Sequence, residues 1–221
     1  DNGELLCSDT IRNWFNWPHY KTWVEDPNYE NSNNYEGGEG DWYMFRLAET
    51  YLLRAEAYMW KGDVAKAAED VNTIRKRCQC SILFTPGEMN MGVIMDERAR
   101  ELYLEEWRHV ELSRVSYIFA LTGQTDEFGK TYTEEKLSDD SYWWQRICKY
   151  NNFYNSGIKT RSGVKYTIAP YHIFFPIPQG TIDANREGRI NQNKGYAGYE
   201  YNVTPFDNLE EAKAAELDYT N

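Results

Sequence analysis

The feature that most constrains the fold is an apolar pattern of helical period over residues 42–60. Apolar side chains recur at three- and four-residue steps, at Leu47, Tyr51, Ala55 and Tyr58, with Leu52 and Met59 widening the stripe. Such spacing places these side chains on one face of a helix, whereas a strand would need simple alternation. The pattern predicts an amphipathic helix whose apolar face needs a partner.

A second helix is predicted directly after the first. Gly62 and Asp63 interrupt the period, and an Asp at this position is suited to cap the first turn of a following helix. The expected buried face of that helix consists of Val64, Ala67, Val71, Ile74 and Cys78. Two helices joined by so short a turn form a helical hairpin. The order of aromatic and small residues follows a tetratricopeptide unit, although Arg54 and Gln79 stand where that pattern prefers Leu and Pro.

A third, longer helix is predicted from Gly92 to Leu121, with core-facing side chains at Met95, Ala99, Leu102, Val110 and Tyr117. Three carboxylates, Glu97, Glu101 and Glu105, follow one another along it at four-residue steps. Such groups could be the acid and nucleophile of a glycoside hydrolase, but those pairs normally lie across a cleft. Neighbouring arginines supply countercharges, namely Arg98, Arg100 and Arg108. Ion pairing is therefore the favoured interpretation, and no catalytic residue is assigned.

The remaining segments lack a sustained helical period and are rich in aromatic rings. We expect an irregular lead-in over residues 1–40, an ordered but irregular insert over 122–170, and a short amphipathic helix at 208–217. Aromatic residues make up 16% of the chain, and many lie among amides and carboxylates, where flat rings can stack on a sugar while polar groups bond its hydroxyls. The candidate ligand-binding residues are Trp14, Trp17, Trp23, Trp143 and Trp144. Packing of these rings against the helices is an equally open alternative.

Charge and cysteine content exclude several classes of protein. Lys and Arg number 24 against 35 Asp and Glu, so the net charge is −11, which disfavours nucleic acids and favours neutral or cationic ligands. No apolar run approaches the roughly 20 residues that cross a bilayer. The spacing of Cys78 and Cys80, with three scattered His, does not make a zinc site, and neither metal nor cofactor is predicted. The thiols are expected to be buried or half-buried.

Three motifs follow one another in a fixed order between residues 41 and 199. The first runs from Phe45 through Gly62-Asp63 to Arg77, the second covers residues 97–114, and the third runs from Phe175 to Tyr196. Together they resemble the C-terminal half of the SusD/RagB family, the surface nutrient-binding lipoproteins of Bacteroidetes. Members of that family are typically more than twice as long as this chain.

The motif residues are expected to hold the scaffold and not a ligand. Charged residues, Glu49 and Glu56 among them, can tie the hairpin helices together, and Asn72 can bond the backbone of the following loop. Amides of the third motif can hold the Pro-rich segment against the helices. The motif residues assigned this structural role are Arg46, Glu49, Glu56, Asn72, Arg75, Glu97, Arg98, Glu101, Arg108, Asn185, Gln192 and Asn193.

The resemblance implies a mainly α fold with tetratricopeptide-like hairpins and long irregular loops. It divides the chain into a lead-in (1–40), a helical region (41–199) and a C-terminal tail (200–221). It further implies a non-catalytic protein that binds oligosaccharide or polysaccharide on the extracellular face of the outer membrane. The implied partner is a SusC-like TonB-dependent transporter, and the implied membrane attachment is a lipid anchor upstream of this chain. A tetratricopeptide-type protein-interaction scaffold and a peptide-binding member of the same family remain alternatives.

Overall fold

The computed structural model describes residues 44–151, 153–160, 162–186, 188–206, 208 and 211. This part of the chain is helical and contains no named strand, so the expectation of a mainly α fold is confirmed. Its α-helices are α1 (Leu47–Trp60), α2 (Val64–Arg77), α3 (Met91–Glu101), α4 (Arg108–Thr122), α5 (Tyr142–Tyr150) and α6 (Gln179–Ala184). Short 3-10 turns lie at Pro86–Glu88, Glu134–Lys136, Pro170–Ile173 and Tyr199–Tyr201. None of the helices within these ranges is long and apolar enough to cross a bilayer.

The hairpin of α1 and α2 forms as the periodicity predicts. Ala55, Ala67 and Val71 are fully buried, and such small side chains let the two helices approach closely. The turn depends on Gly62 at φ +79°, a left-handed conformation that favours glycine. Asp63 then caps α2 by accepting a 3.2 Å hydrogen bond from the backbone N–H of Lys66.

The edges of the hairpin differ from the prediction. The helix begins at Leu47 instead of residue 42, because Arg46 is extended at φ −144°, and the Leu47 side chain is 68% exposed. Cys78 lies beyond the last turn of α2 and is exposed, as is Cys148 at the outer side of α5, while Cys80 is half-buried. The expected burial is therefore wrong for Cys78 and Cys148.

The single helix predicted from Gly92 to Leu121 is wrong, because the chain turns between α3 and α4. Leu104 adopts a left-handed φ of +63°, and the backbone N–H groups of Glu105 and Glu106 both donate to the Leu102 carbonyl. Because of this turn, α3 and α4 do not share one apolar face. Side chains predicted to be in the core therefore lie outside it: Ala99 is exposed, Val110 is 50% exposed and Tyr117 is 40% exposed.

The core lies where α1 to α4 meet, and α5 extends it. The central buried side chains are Leu52, Val71, Ile94, Met95, Val115 and Phe119. Helix α5 lies within the segment predicted to be irregular. Ser141 caps it by accepting from the Trp144 N–H at 3.2 Å, and the Trp143 N–H donates to Ser116 Oγ of α4 at 2.8 Å. The insert is thus partly helical and is fixed to the scaffold.

The segment before α6 is held by side-chain amides of the third motif. Gln192 accepts from the Ile177 N–H at 2.7 Å and donates to the Ile177 carbonyl at 2.9 Å. Asn193 donates to the Phe175 carbonyl at 2.7 Å. Asn185 instead closes a local turn by donating to the Gly188 carbonyl at 3.0 Å. The helix expected at 208–217 falls almost entirely outside the described residues.

Candidate functional site

The carboxylates of the second motif are held by arginines that come from other parts of the chain. Arg46 forms ion pairs with Glu101, at 2.5 Å, and with Glu105. Arg77 also reaches Glu101 at 2.5 Å. Burial alone would raise the pKa of Glu101, but the hydrogen bonds from the two guanidinium groups outweigh it and hold the pKa below its ordinary value. Glu101 therefore stays ionised near neutral pH and is unsuited to act as a general acid.

The remaining carboxylate of that series, Glu97, is bound in the same way. Arg75 of α2 approaches it at 2.7 Å, and Arg100 of its own helix approaches it at 2.7 Å. Arg75 also donates to the Ile82 carbonyl at 2.8 Å. Because α3 ends at Glu101, the three glutamates do not form one helical stripe. Their geometry is that of ion pairs joining α2 and the start of α1 to α3 and to the turn that follows it.

A second network joins α1 to α3 and α4. Arg114 makes a bidentate pair with Glu56, at 2.7 and 2.6 Å, and also reaches Glu111 at 2.8 Å. Arg98, whose side chain has no exposed area, pairs with Glu106 at 2.7 Å and with Glu111 at 3.0 Å. A buried guanidinium without such partners would be strongly destabilising. These charges are therefore structural.

The ion pairs connect different elements from those that the sequence suggests. Glu56 was expected to tie the two hairpin helices together, but its partner lies on α4. Arg54 and Asp70, not assigned to this role, join α1 to α2 at 2.8 and 2.7 Å. The sequence did contain a sign of this pair, because Arg54 stands where a tetratricopeptide unit prefers Leu. Glu49 lines a small recess beside Arg46.

Asn72 and Arg108 complete the structural set. The Asn72 side chain donates to the Phe84 carbonyl at 2.8 Å and accepts from the Phe84 N–H at 2.9 Å, which fixes the loop after α2. Arg108 opens α4 and lies 3.7 Å from Glu106, and burial lowers the pKa of its guanidinium. Asn72 thus bonds the backbone of the loop after α2, as the motif predicts.

One candidate binding surface is the aromatic cluster, which we define as His109, Trp143, Trp144 and Phe175. The ring centroids of Trp143 and Trp144 are 6.4 Å apart and nearly parallel, at 27°. His109 lies 5.4 Å from Trp143 and 4.6 Å from Phe175. The His109 Nε2 atom donates to the Ile173 carbonyl at 3.0 Å, since a carbonyl can only accept. The cluster thus joins α4, α5 and the Pro-rich segment into a fixed group of rings.

The structure separates the two adjacent tryptophans. Trp143 is 2% exposed and belongs to the core, because its position on α5 faces α4. It is therefore placed to support the cluster and not to contact a ligand. Trp144, one residue further round the helix, is half-buried and keeps part of its ring accessible. Trp14, Trp17 and Trp23 lie outside the described residues.

Phe175 is the ring that the sequence interpretation missed. It is 68% exposed, whereas its neighbour Phe174 packs against Tyr117 at 6.1 Å. The signal lay in the stretch after the 3-10 turn at Pro170–Ile173, where the backbone becomes extended at Phe174 and successive side chains point to opposite sides. One Phe is consequently directed inward and the next outward.

One recess lies beside the core in the described part of the chain. A recess of about 160 Å³ lies between α1, α3 and α4 and is lined by residues that include Trp60, Met89, Phe119 and Glu127. Ligand pockets are typically roughly 300–1,000 Å³. This recess is therefore too small to enclose an oligosaccharide.

Comparisons with known proteins support the family resemblance of the three sequence motifs. The model of the SusD family matches residues 1–196. The chain is 34% identical over 154 residues to the starch-binding protein SusD of Bacteroides thetaiotaomicron, an alignment that covers 69% of this chain and 21% of that protein. The match thus spans about a fifth of the length of that relative. No solved structure matches the chain significantly. The division at residues 40 and 199 stays a prediction.

Proposed function

Because the chain belongs to the SusD family, we propose that it is part of a non-catalytic, glycan-binding component of an outer-membrane uptake system. In this proposal the whole protein sits on the extracellular face, attached by a lipid anchor upstream of this chain. It delivers oligosaccharide to a TonB-dependent transporter of the SusC type. The observation that carries the proposal is the family match over residues 1–196, together with a relative whose name states that it binds starch.

The accessible rings of the aromatic cluster are the proposed ligand surface within the described part of the chain. Trp144 and Phe175 present ring surface to solvent, and they rest on Trp143 and His109, whose positions are fixed by packing and by hydrogen bonds. Rings that are ordered before binding lose little conformational entropy when a sugar stacks on them. This arrangement supports binding by stacking, with neighbouring polar groups bonding the sugar hydroxyls.

Absence of catalysis is part of the proposal and is supported by the state of the carboxylates. Glu97, Glu101 and Glu105 are each bound to at least one arginine. A glycoside hydrolase needs one carboxyl group that is protonated and free to donate to the leaving oxygen. Paired carboxylates of this kind are better suited to joining helices.

Binding of another polypeptide is a second candidate function, favoured by one specific surface. Apolar side chains are exposed at the start of α1 and in the turn before α4: Met44, Phe45, Leu47, Tyr103, Leu104 and Trp107. Trp107 alone is 82% exposed. Met44 and Phe45 line the same recess as Leu102, and exposed apolar side chains that lie together mark protein contacts. This surface is compatible with the transporter contact in the first proposal and with a scaffold that binds no sugar.

The test is native affinity electrophoresis of the chain through gels that contain single polysaccharides, neutral and charged. We expect at least one glycan to retard the parent protein and the double variant Trp144→Ala, Phe175→Ala to lose that retardation. Tyr201→Ala is the matched control, since Tyr201 is 78% exposed and lies outside the cluster. Equal retardation of the double variant and the parent would refute the assigned surface. Failure of every glycan would favour the polypeptide-binding function.

A further inference from the structure

Positive charge is concentrated in one part of this acidic chain. Residues 141–182 contain no Asp or Glu, although the whole chain has a net charge of −11. We call this stretch the acid-free segment. Its basic residues are Arg146, Lys149, Lys159, Arg161 and Lys165. The net negative charge of the whole chain therefore does not determine the local electrostatic potential at this segment.

Only some of these cations are engaged by the scaffold. Arg146 is buried, with its side chain 4% exposed, and pairs with Asp96 and with Glu127. Lys149 is exposed, with its ammonium 4.9 Å from the centroid of the Phe128 ring. Lys159 and Lys165 are exposed, and within the described ranges neither has a carboxylate at ion-pair distance.

Lys159 and Lys165 oppose each other across a narrow hairpin, forming an isolated antiparallel bridge. Backbone bonds flank the bridge on both sides, from the Tyr166 N–H to the Ile158 carbonyl at 3.0 Å and from the Thr160 N–H to the Val164 carbonyl at 2.7 Å. The two lysines thus occupy a non-hydrogen-bonded pair, in which opposing residues are closest and share one face. Like charges in that position are destabilising. An anion between them would convert the repulsion into attraction.

The hairpin is anchored by aromatic rings. Phe153 is buried and its ring centroid lies 4.5 Å from that of Tyr166, while Tyr154 is 39% exposed. At the other end, Thr160 Oγ1 and Ser162 Oγ lie 2.8 Å apart. Counting only the described residues, the hairpin therefore offers two ammonium groups without a carboxylate partner, together with hydroxyls and a partly accessible ring.

We propose that this hairpin binds an acidic group of a glycan, a uronate carboxylate or a sulfate ester, between Lys159 and Lys165. The inference rests on the proposed function, since it takes the ligand to be a glycan and names its class. It is opposite to the preference for neutral or cationic ligands that the net charge suggests. Exposed charges more than about 8 Å apart are largely screened at physiological ionic strength, so a ligand between the two lysines interacts with them more strongly than with the net charge of the chain.

The experiment compares polymers that share one backbone and differ only in charge. Uncharged dextran, carboxymethyl-dextran and dextran sulfate are the probes, and retardation of the chain is measured at increasing polymer concentration. We expect one or both charged polymers to bind the parent more tightly than dextran does. The carboxymethyl and sulfate arms show which acidic group is preferred. Lys159→Gln with Lys165→Gln is expected to weaken that binding by about tenfold.

A second pair of substitutions controls for the change in net charge. Lys76 and Lys136 are exposed and lie outside the acid-free segment, so Lys76→Gln with Lys136→Gln removes the same charge and should leave binding unchanged. Equal binding of dextran and of both charged dextrans by the parent would overturn the inference, as would equal weakening in the two double variants. Retardation by neutral glycans alone would leave the proposed function standing while refuting the acidic ligand. Retardation by none of the three polymers would refute the acidic ligand alone, because the proposed function is tested separately with the panel of polysaccharides.

Discussion

The helical scaffold and the hairpin of the acid-free segment use charged residues in opposite ways. In the scaffold, guanidinium groups such as those of Arg98 and Arg114 are bound by carboxylates from other helices. In the hairpin, Lys159 and Lys165 face each other and have no carboxylate partner within the described residues. The motif charges are thus paired within the scaffold, whereas the two lysines that we propose for the ligand lie where no motif was found.

The largest expected effect comes from breaking the buried network of the scaffold. Arg98→Ala removes a fully buried guanidinium and leaves Glu106 and Glu111 without it, which should cost about 3–5 kcal/mol of unfolding free energy. Arg100→Ala is the matched control on the same helix. Its side chain is 54% exposed, and loss of its pair should cost less than about 1 kcal/mol.

Urea unfolding followed by circular dichroism measures both variants. If Arg98→Ala does not fold, its helical signal is already lost without urea. That outcome also agrees with the expected loss of stability. Equal stability of the Arg98 and Arg100 variants would contradict the assignment of the buried network as structural.

The sequence predicted those features of the scaffold that depend on neighbouring residues. The hairpin of α1 and α2 follows from local periodicity, and the cap at Asp63 follows from its place before an apolar helix. The turn between α3 and α4 was missed, because it depends on Glu106 folding back onto Arg98 and on the left-handed Leu104. Contacts of that kind are tertiary and leave no periodic signal.

The candidate site was predicted less completely than the fold. Composition identified the Trp143-Trp144 pair but could not tell which ring faces the core, since that depends on how α5 packs on α4. A Ser cap followed by buried residues at Tyr142, Trp143 and Arg146 was a helical signal that could have located α5. Phe175 was missed because its exposure depends on how the Pro-rich segment is held by Gln192 and Asn193.

The smallest expected effect concerns the hairpin. Lys165→Glu places opposite charges across the bridge and should stabilise the hairpin by about 0.2–1 kcal/mol. Hydrogen exchange of the Tyr166 amide, which donates to the Ile158 carbonyl, measures the change as slower exchange. Lys149→Glu is the control, since Lys149 lies outside the bridge. Faster exchange in Lys165→Glu would show that the two lysines do not repel each other in the free protein.

The central claim is that structural and ligand-binding residues are separate, and it is tested most directly by measuring stability and glycan retardation on the same two variants. Asn72→Ala removes two hydrogen bonds to the Phe84 backbone, while Phe175→Ala removes a ring that is 68% exposed. The account predicts that Asn72→Ala lowers the melting temperature and keeps glycan retardation at a temperature where it is folded. It predicts that Phe175→Ala keeps the melting temperature and weakens retardation. Loss of binding by folded Asn72→Ala would contradict the account. A Phe175→Ala variant that loses stability and keeps binding would contradict it as well.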